Sequence, residues 1–323
     1  MPLLRRHFTA WAGAAAFTAL APLAHAQPKT VKLLVGYAPG GAADLVARAV
    51  GEALRDSGYT VVVENKPGAS GRLATDALLA APADGATLLF APLGNLTLYP
   101  HLFKSLKFDP LKDLAPIGVA STMGFALAVP ANSPATSLQA FLKLASSNAA
   151  LASFGTPGAG TAMHFLGTML GKQAGVNLTH VPYRGGSAAV TDAVGGTLPA
   201  VITTTPNLLP MHRSGKLRIL AVSDAVVPAG LTGASTFKDA GFADLTIAES
   251  FALFAKAGTA AAVVAQFNQA LNTALQSPKL KSVLDKAEFS ARPWSSDELA
   301  RHIQAEHGVW GRVVKASGYT PED

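Results

Sequence analysis

The chain has 323 residues, of which 49% are hydrophobic and 14% charged; this composition excludes a disordered chain, and the length predicts two lobes. The absence of cysteine excludes disulfide bonds, thiol catalysis and cysteine metal sites. The net charge of +6 comes from scattered lysines and arginines without a basic stripe, which argues against nucleic-acid binding.

The first 26 residues have the pattern of an export signal. Arg5-Arg6 give a positive start, an apolar stretch covers residues 11–23, and Ala24-His25-Ala26 forms an A-x-A cleavage site. Because the apolar stretch is shorter than the roughly 20 residues that a membrane-spanning helix needs, we predict cleavage rather than a retained anchor. The paired arginines also fit a twin-arginine signal, so two export routes remain open. Both routes predict an exported protein.

Short apolar strand patterns alternate with helical patterns through the rest of the chain. A first set of strands is predicted at 31–37, 61–64, 87–91 and 117–121, with helices near 42–56, 71–81 and 95–104. A second set is predicted at 125–129, 152–154, 178–181, 200–204 and 217–222, with helices near 137–147, 161–174 and 186–195. A strand at 246–255 and three helical stretches follow. This alternation predicts an α/β fold with parallel strands in each lobe.

The last helix carries the best-defined start signal. Ser295-Ser296-Asp297-Glu298 fits a capping box, in which a serine and a glutamate satisfy each other's backbone amides. Leu299, Ile303, Trp310 and Val314 then fall near one face, so we predict that Trp310 belongs to the core.

Two glycine-rich turns each connect a strand to a helix. The first lies in VGYAPGGAADLVAR, residues 35–48, and the second in ASFGTPGAGTAMH, residues 152–164. Glycine backbone at a helix start exposes unpaired amides and a partial positive charge, which together form an anion site. Neither turn has the lysine of a P-loop or the G-x-G-x-x-G of a dinucleotide site, so a carboxylate is favoured over a nucleotide. Two such turns facing each other would hold the ends of a short dicarboxylate; alternatively, both are only tight connections.

Several side chains near these turns have two readings. Asp44 either caps the first helix or pairs with a ligand, and His164 is either a structural residue at a helix start or a catalytic base. Arg184 is a candidate for a carboxylate fork or for a surface ion pair, and the loop at 65–72 either touches ligand or only turns the chain. Hydrolase motifs are absent, and the histidines are not at metal-ligand spacing, so no cofactor or metal is expected.

The order of these motifs resembles that of the solute receptors of tripartite tricarboxylate transporters, also called Bug receptors. The resemblance runs over nearly the whole chain after the export signal. It is carried, in order, by VGYAPGGAADLVAR, VVVENKPGASG, DGATLLFAP, FDPLKDLAPIGVAS, FGTPGAGTAMHFLG, HVPYRGGSAAVTDAVGG, GKLRILAVS and AGTAAAVVAQFNQAL.

This resemblance implies an α/β two-lobe periplasmic binding protein of type II topology, with the ligand cleft between the lobes. Lobe 1 would comprise residues 27–124 and 227–323, and lobe 2 residues 125–226. The two glycine-rich turns would form the halves of the site, with waters bridging ligand to backbone. The predicted ligand-binding residues are Tyr37, Ala38, Gly40, Gly41, Asp44, Gly94, Asn95, Gly155, Thr156, Gly158, Thr161, His164, Arg184 and Thr204.

The implied function is capture of a small carboxylate, in particular a dicarboxylate, for delivery to a membrane permease, without catalysis and as a monomer. Thr203-Thr204 stand where the family often has an acidic or amide side chain, which favours a carboxylate without an amine. Two alternatives remain: the receptor signals to a membrane sensor or regulatory partner, or the cleft belongs to an exported hydrolase that uses His164.

Overall fold

The computed structural model describes residues 29–228, 230–291, 293–317 and 319–321. The predicted export signal at 1–26 lies outside these residues. The strands are β1 Lys29–Val35, β2 Tyr59–Asn65, β3 Thr87–Pro92, β4 Leu114–Pro130, β5 Ser153–Thr156, β6 Thr179–Pro182, β7 Val201–Thr204, β8 Leu217–Val222, β9 Ser235–Thr236 and β10 Ala248–Lys256. The helices are α1 Ala42–Ala53, α2 Arg72–Ala80, α3 Gly94–Thr97, α4 Tyr99–Leu102, α5 Leu138–Ser147, α6 Ala162–Ala174, α7 Gly186–Val194, α8 Thr205–Arg213, α9 Ala261–Ala274, α10 Pro278–Lys286 and α11 Ser296–Ser317.

One long strand, β4, joins two halves of the sheet. Its first part, Leu114–Gly124, runs antiparallel to β10, and its second part, Phe125–Pro130, pairs with β7 and β8. The first half-sheet therefore has the order β2-β1-β3-β10-β4, and the second continues as β4-β7-β5-β6, with β8 also paired to β4 and β9 paired to β8. Strand β4 changes partners between Gly124 and Phe125, and the residues at which the lobes divide remain predictions.

Three local predictions differ from the structure. The strands expected at 117–121 and 125–129 are one strand of 17 residues, because Thr122 to Gly124 stay extended between the half-sheets. The helix expected near 95–104 is two single turns, α3 and α4, with Pro100 at the start of the second. Helix α8 was not predicted, because Pro210 lies inside it and a proline there normally ends a helix.

Helix α11 is shared by both hydrophobic cores. Its predicted capping box is confirmed, since Ser295 N donates to Glu298 Oε2 at 2.8 Å and Glu298 N to Ser295 Oγ at 3.1 Å. Leu299 and Ile303 pack into the core of the first half-sheet, whereas Trp310 and Val314 pack into that of the second. Trp310 is 6% exposed and meets the Phe165 ring edge-on at 5.7 Å, so its predicted core role is confirmed. None of the described helices combines the length and apolar content needed to cross a membrane.

Replacement of Trp310 by alanine should destabilise the fold by about 3 kcal/mol, because it leaves a cavity where α11 packs on α6. Val309 is the matched control, since it lies next on α11 and is 46% exposed. Urea unfolding would measure both variants, and V309A should change the unfolding free energy by less than about 0.5 kcal/mol. Equal losses in the two variants would contradict the shared-core role of Trp310.

Candidate functional site

The first glycine-rich turn links β1 to α1. Gly40 has φ +82°, in the left-handed region, and its amide donates to Asp44 Oδ2 at 3.0 Å. Gly41 precedes the first helical residue and has no side chain to cap the helix. Ala42 and Ala43, whose amides belong to the first turn of α1, line a cavity between the half-sheets. The Gly40 amide is therefore used within the protein, in its bond to Asp44, and the start of α1 at the cavity has no side-chain cap.

The second turn, between β5 and α6, repeats this plan. Gly160 has φ +70°, and its amide donates to His164 Nδ1 at 3.1 Å, again four residues ahead. The helix start differs, because Thr161 Oγ1 accepts from His164 N at 3.3 Å and donates to Gly158 O at 2.9 Å. Each turn thus uses a side chain at the third helical position to fix a left-handed glycine.

The predicted hydroxyl groups of the second turn serve the turn itself. Thr156 and Thr161 are fully buried. Thr156 Oγ1 donates to Gly158 O at 3.0 Å and lies 2.7 Å from His180 Nε2. Both hydroxyls are occupied within the protein in this conformation, and their contact with ligand remains a prediction.

Asp44 is buried and fully engaged. Its carboxylate accepts from Gly40 N, from Arg48 Nε at 3.0 Å and from Asn65 Nδ2 at 2.9 Å. Burial opposes ionisation, but the hydrogen bonds from Arg48, Gly40 and Asn65 outweigh it and lower the pKa of Asp44. Of the two roles left open by the sequence, this geometry matches the structural one.

His164 stacks on a second histidine. The His164 and His180 rings are parallel to within 16°, with centroids 3.7 Å apart. Burial, assisted by the neighbouring His164, lowers the pKa of His180 to about 3, so this ring is neutral. Because His164 Nδ1 accepts the Gly160 amide, that nitrogen carries no proton. The pair supports the second turn, which again matches the structural reading.

Both turns line one cavity, which measures about 40 Å³. This volume holds one or two water molecules. None of the described residues that line it is a lysine, an arginine or a histidine. They are Tyr37, Ala38, Gly41, Ala42, Ala43, Pro92, Pro157, Met163, Gly185, Gly186, Thr203, Thr204, Asn207, Glu249 and Phe251. Of the predicted site residues, Tyr37, Ala38, Gly41 and Thr204 therefore share this cavity.

The loop at 65–72 closes one side of the site. Ser70 Oγ donates to Ala159 O in the second turn at 2.5 Å. A Cβ added at Gly158 would lie only 2.6 Å from Ser70 Oγ, so this close approach requires glycine. Ala69 and Ser70 both have positive φ, at 46° and 54°. Ser70 O accepts from Tyr99 Oη at 2.6 Å, which helps to hold this strained backbone. The loop therefore bridges the two half-sheets.

Two other predicted residues lie beside the cavity. The Asn95 amide bonds to the Tyr37 hydroxyl, with Nδ2 2.9 Å and Oδ1 3.1 Å from it. Arg184 lines a neighbouring cavity of about 360 Å³ with Tyr37 and the 65–72 loop. Their roles as ligand contacts remain predictions, as do those of Gly94 and Gly155.

Glu249 is an acidic cavity residue that the predicted site residues did not include. It lies on β10, is 4% exposed, and its Oε1 accepts from Gly94 N at 3.2 Å and from Ser250 N at 3.0 Å. Burial raises the pKa of Glu249 to about 8, and the negative charge of Glu306 contributes in the same direction. The available signal was an acidic residue inside an apolar strand pattern, since buried acids are rare without a function.

Thr204 contributes an unsatisfied hydroxyl. It is 5% exposed, and its Oγ1 has no hydrogen-bond partner within the described part of the chain. A buried hydroxyl without a partner costs free energy, so its place on the cavity wall points to a ligand atom. Within the same residues no group of three or more acidic or histidine side chains is arranged to hold a metal ion.

Comparison with known proteins gives consistent matches over most of the chain. A family model described as "Tripartite tricarboxylate transporter family receptor" matches residues 46–319. Protein BugT of Bordetella pertussis is 31% identical, with 90% of each chain covered. The solved structure of the periplasmic binding protein BugD has TM-score 0.87 and 27% identity, covering 91% of this chain and 99% of that one.

Two solved structures contain organic acids. MatC from Rhodopseudomonas palustris with bound malate has TM-score 0.84 and 27% identity, covering 88% of this chain and 98% of that one. Rpa4515 of R. palustris with adipate has TM-score 0.86 and 26% identity, covering 91% and 99%. These relatives are solute-binding proteins and not enzymes, so the predicted two-lobe α/β fold and the prediction of a non-enzyme are confirmed.

The protonated state of Glu249 should make the fold less stable as pH rises. The carboxyl has a pKa near 4.5 in the unfolded chain and about 8 in the folded one, so between these values the unfolded state binds fewer protons. Stability then falls with pH by up to about 1.4 kcal/mol per unit. Glu249→Gln removes this contribution, and urea unfolding from about pH 5 to pH 8 should show a shallower decline in the variant. The same slope in both proteins would contradict a buried, neutral Glu249.

Proposed function

This chain belongs to the tripartite tricarboxylate transporter receptor family, and from that premise we propose that it binds a small dicarboxylate between its two glycine-rich turns and delivers it to a membrane permease. The observation that carries the proposal is that two helix starts, one from each half-sheet, line the same cavity. A helix start attracts anions through its free amides and dipole, so a pair suits a ligand with a carboxylate at each end.

The relatives agree with this ligand class. The MatC structure has bound malate, and the Rpa4515 structure was solved with adipate. Both are dicarboxylic acids without an amine. The cavity of this chain has no described cation among its lining residues, so recognition would rest on amides and hydroxyls. Such groups bind reversibly, as delivery to a permease requires.

The proposal assigns residues 27–124 and 227–323 to lobe 1 and 125–226 to lobe 2. In lobe 1, Gly41 with Ala42 and Ala43 would hold one carboxylate. In lobe 2, the Thr204 hydroxyl and the start of α6 would hold the other. The remaining predicted residues, among them Gly40, Asp44, Thr156, Thr161 and His164, would shape these two turns.

Binding requires the lobes to separate, because a cavity of about 40 Å³ is too small for a dicarboxylate. The Ser70 to Ala159 hydrogen bond joins the two sides and would reform over the ligand. Closure excludes water and so strengthens each amide to carboxylate bond. Open and closed forms would give the permease two states to distinguish.

The proposed location is the periplasm, where the chain would act as a monomer. BugD is described as periplasmic, and residues 1–26 have the pattern of an export signal. The family's description supports the proposal of a permease partner.

Isothermal titration with succinate, malate, adipate and aspartate should show one dicarboxylate bound per chain. Thr204→Val should weaken that binding about tenfold or more, since a hydrogen bond to a charged group is lost. The same change should leave the melting temperature unchanged or raise it, because it removes a hydroxyl that lacks a partner.

The matched control is Thr191→Val, at an exposed position on α7, which should leave binding unchanged. Absence of binding by every acid, with a folded sample, would overturn the proposed function. Wild-type affinity in T204V would remove Thr204 from the site.

A further inference from the structure

Glu249 is the acidic residue on the wall of the proposed ligand cavity, and its position is unfavourable for a receptor of anions. It lies on β10, lines the same cavity as the helix starts of α1 and α6, and is 4% exposed. An ionised Glu249 would repel a carboxylate bound in the same closed space. The structure therefore has to account for a carboxyl group at a carboxylate site.

We propose that Glu249 is a specificity-determining residue, which keeps its proton when the lobes close and donates it to a carboxylate oxygen of the ligand. This inference rests on the proposed function, because it requires an organic acid in the cavity. It makes capture of the acid a proton-linked event.

Burial and the charged and titratable side chains that face Glu249 favour its neutral form, and they outweigh the backbone amides of Gly94, Ser250 and Leu93, which favour the ionised form. From α11, Glu306 adds a negative charge, and Tyr37 and Tyr99 face it with neutral hydroxyls whose pKa values burial raises. None of the ion pairs found in the described ranges includes Glu249. Within the described part of the chain, no cation therefore lies at ion-pair distance to compensate an ionised Glu249.

The hydrogen bonds define where the proton lies. Glu249 Oε1 accepts two amides, those of Gly94 and Ser250, and so acts as the carbonyl oxygen of a carboxylic acid. The proton then belongs to Oε2. An O–H group that donates to a carboxylate forms a short, charge-assisted hydrogen bond, which is stronger than one between neutral groups. The same carboxyl that repels an acid when ionised binds it when protonated.

The charge state of Glu249 also separates two ligand classes by the sign of their pH dependence. A carboxylate needs the protonated form, so its affinity falls as pH rises. A ligand ammonium group would instead pair with the ionised form, so its affinity would rise with pH. The lack of an acid at Thr203 and Thr204 and the helix starts on both sides favour the first class.

Titration calorimetry with succinate, malate and adipate at about pH 7 and about pH 9 tests this directly. Since the pKa of Glu249 is about 8 without ligand, the affinity of the bound acid should fall about tenfold over this range. Titrations near pH 8.5 in phosphate and in Tris, which differ in ionisation enthalpy, count the protons. Up to one proton should be taken up per ligand bound.

Variants separate Glu249 from other titrating groups. Glu249→Gln keeps the Oε1 acceptor, so it should fold; it should bind several-fold more weakly at pH 7 and show neither the pH dependence nor the proton uptake. Glu306→Gln removes a charge that raises the pKa of Glu249, so the loss of affinity should begin at lower pH. The control is Glu64→Gln. Glu64 lies on β2 and forms ion pairs with Lys32 and Lys66, so this variant should have the affinity, pH dependence and proton uptake of wild type.

The outcomes distinguish this inference from the proposed function. If no acid binds at any pH, the proposed function fails and the inference fails with it. If an acid binds with the same affinity at both pH values and without proton uptake, the inference alone is overturned. Retention of the wild-type pH dependence in E249Q, or tighter binding at higher pH, would also overturn it. The wild-type proton count stands even if E249Q does not fold.

Discussion

The site depends on one repeated contact, in which a left-handed glycine gives its amide to the side chain four residues ahead. Gly40 to Asp44 and Gly160 to His164 are the two examples, at 3.0 Å and 3.1 Å. A glycine is needed because the positive φ would strain any other residue. The contact fixes where each helix begins and consumes one amide, so the amides that follow are the ones left at the cavity. If either acceptor were absent, its turn would lose the bond that sets its shape.

The two acceptors, Asp44 and His164, do not bring an unpaired charge to the cavity. Asp44 is ionised, but Arg48 and Asn65 complete its hydrogen bonds, and His164 stacks on a neutral His180. In the proposed site, the ligand would then face a set of amides, the Thr204 hydroxyl and a protonated Glu249. Such a surface favours anions through dipoles and shared protons rather than through a cation. Because no strong ion pair would have to break on release, binding would be strong in the closed form, from which water is excluded, and weak once water enters.

Sequence reasoning identified both turns because their signals are local: glycine clusters, a strand before and a helical period after. It missed what depends on tertiary packing. The hydroxyls of Thr156 and Thr161 look available in the sequence, yet they bond to Gly158 O within the turn. In the sequence, Glu249 is one polar residue in a strand pattern, and only the approach of Gly94 at the start of α3 and of Glu306 makes it a buried acid. The continuity of β4 was missed for the same reason. Both of its parts have an apolar strand pattern in the sequence, and they differ only in the strands with which they pair.

The proposed opening of the cleft would have to be accommodated where the chain crosses between the half-sheets. Strand β4 changes partners at Gly124 and Phe125, so rotation there need not break either ladder. A side chain at Gly124 is excluded by Asp224, whose carboxylate would overlap a Cβ at that position. The Ser223 side chain links β4 to the residue that precedes β10, because its Oγ accepts from Phe125 N and donates to Ile247 O. Helix α11 spans both cores and limits how far they can part. The Ser70 to Ala159 hydrogen bond involves none of these residues, so it can break and reform while their contacts stay intact.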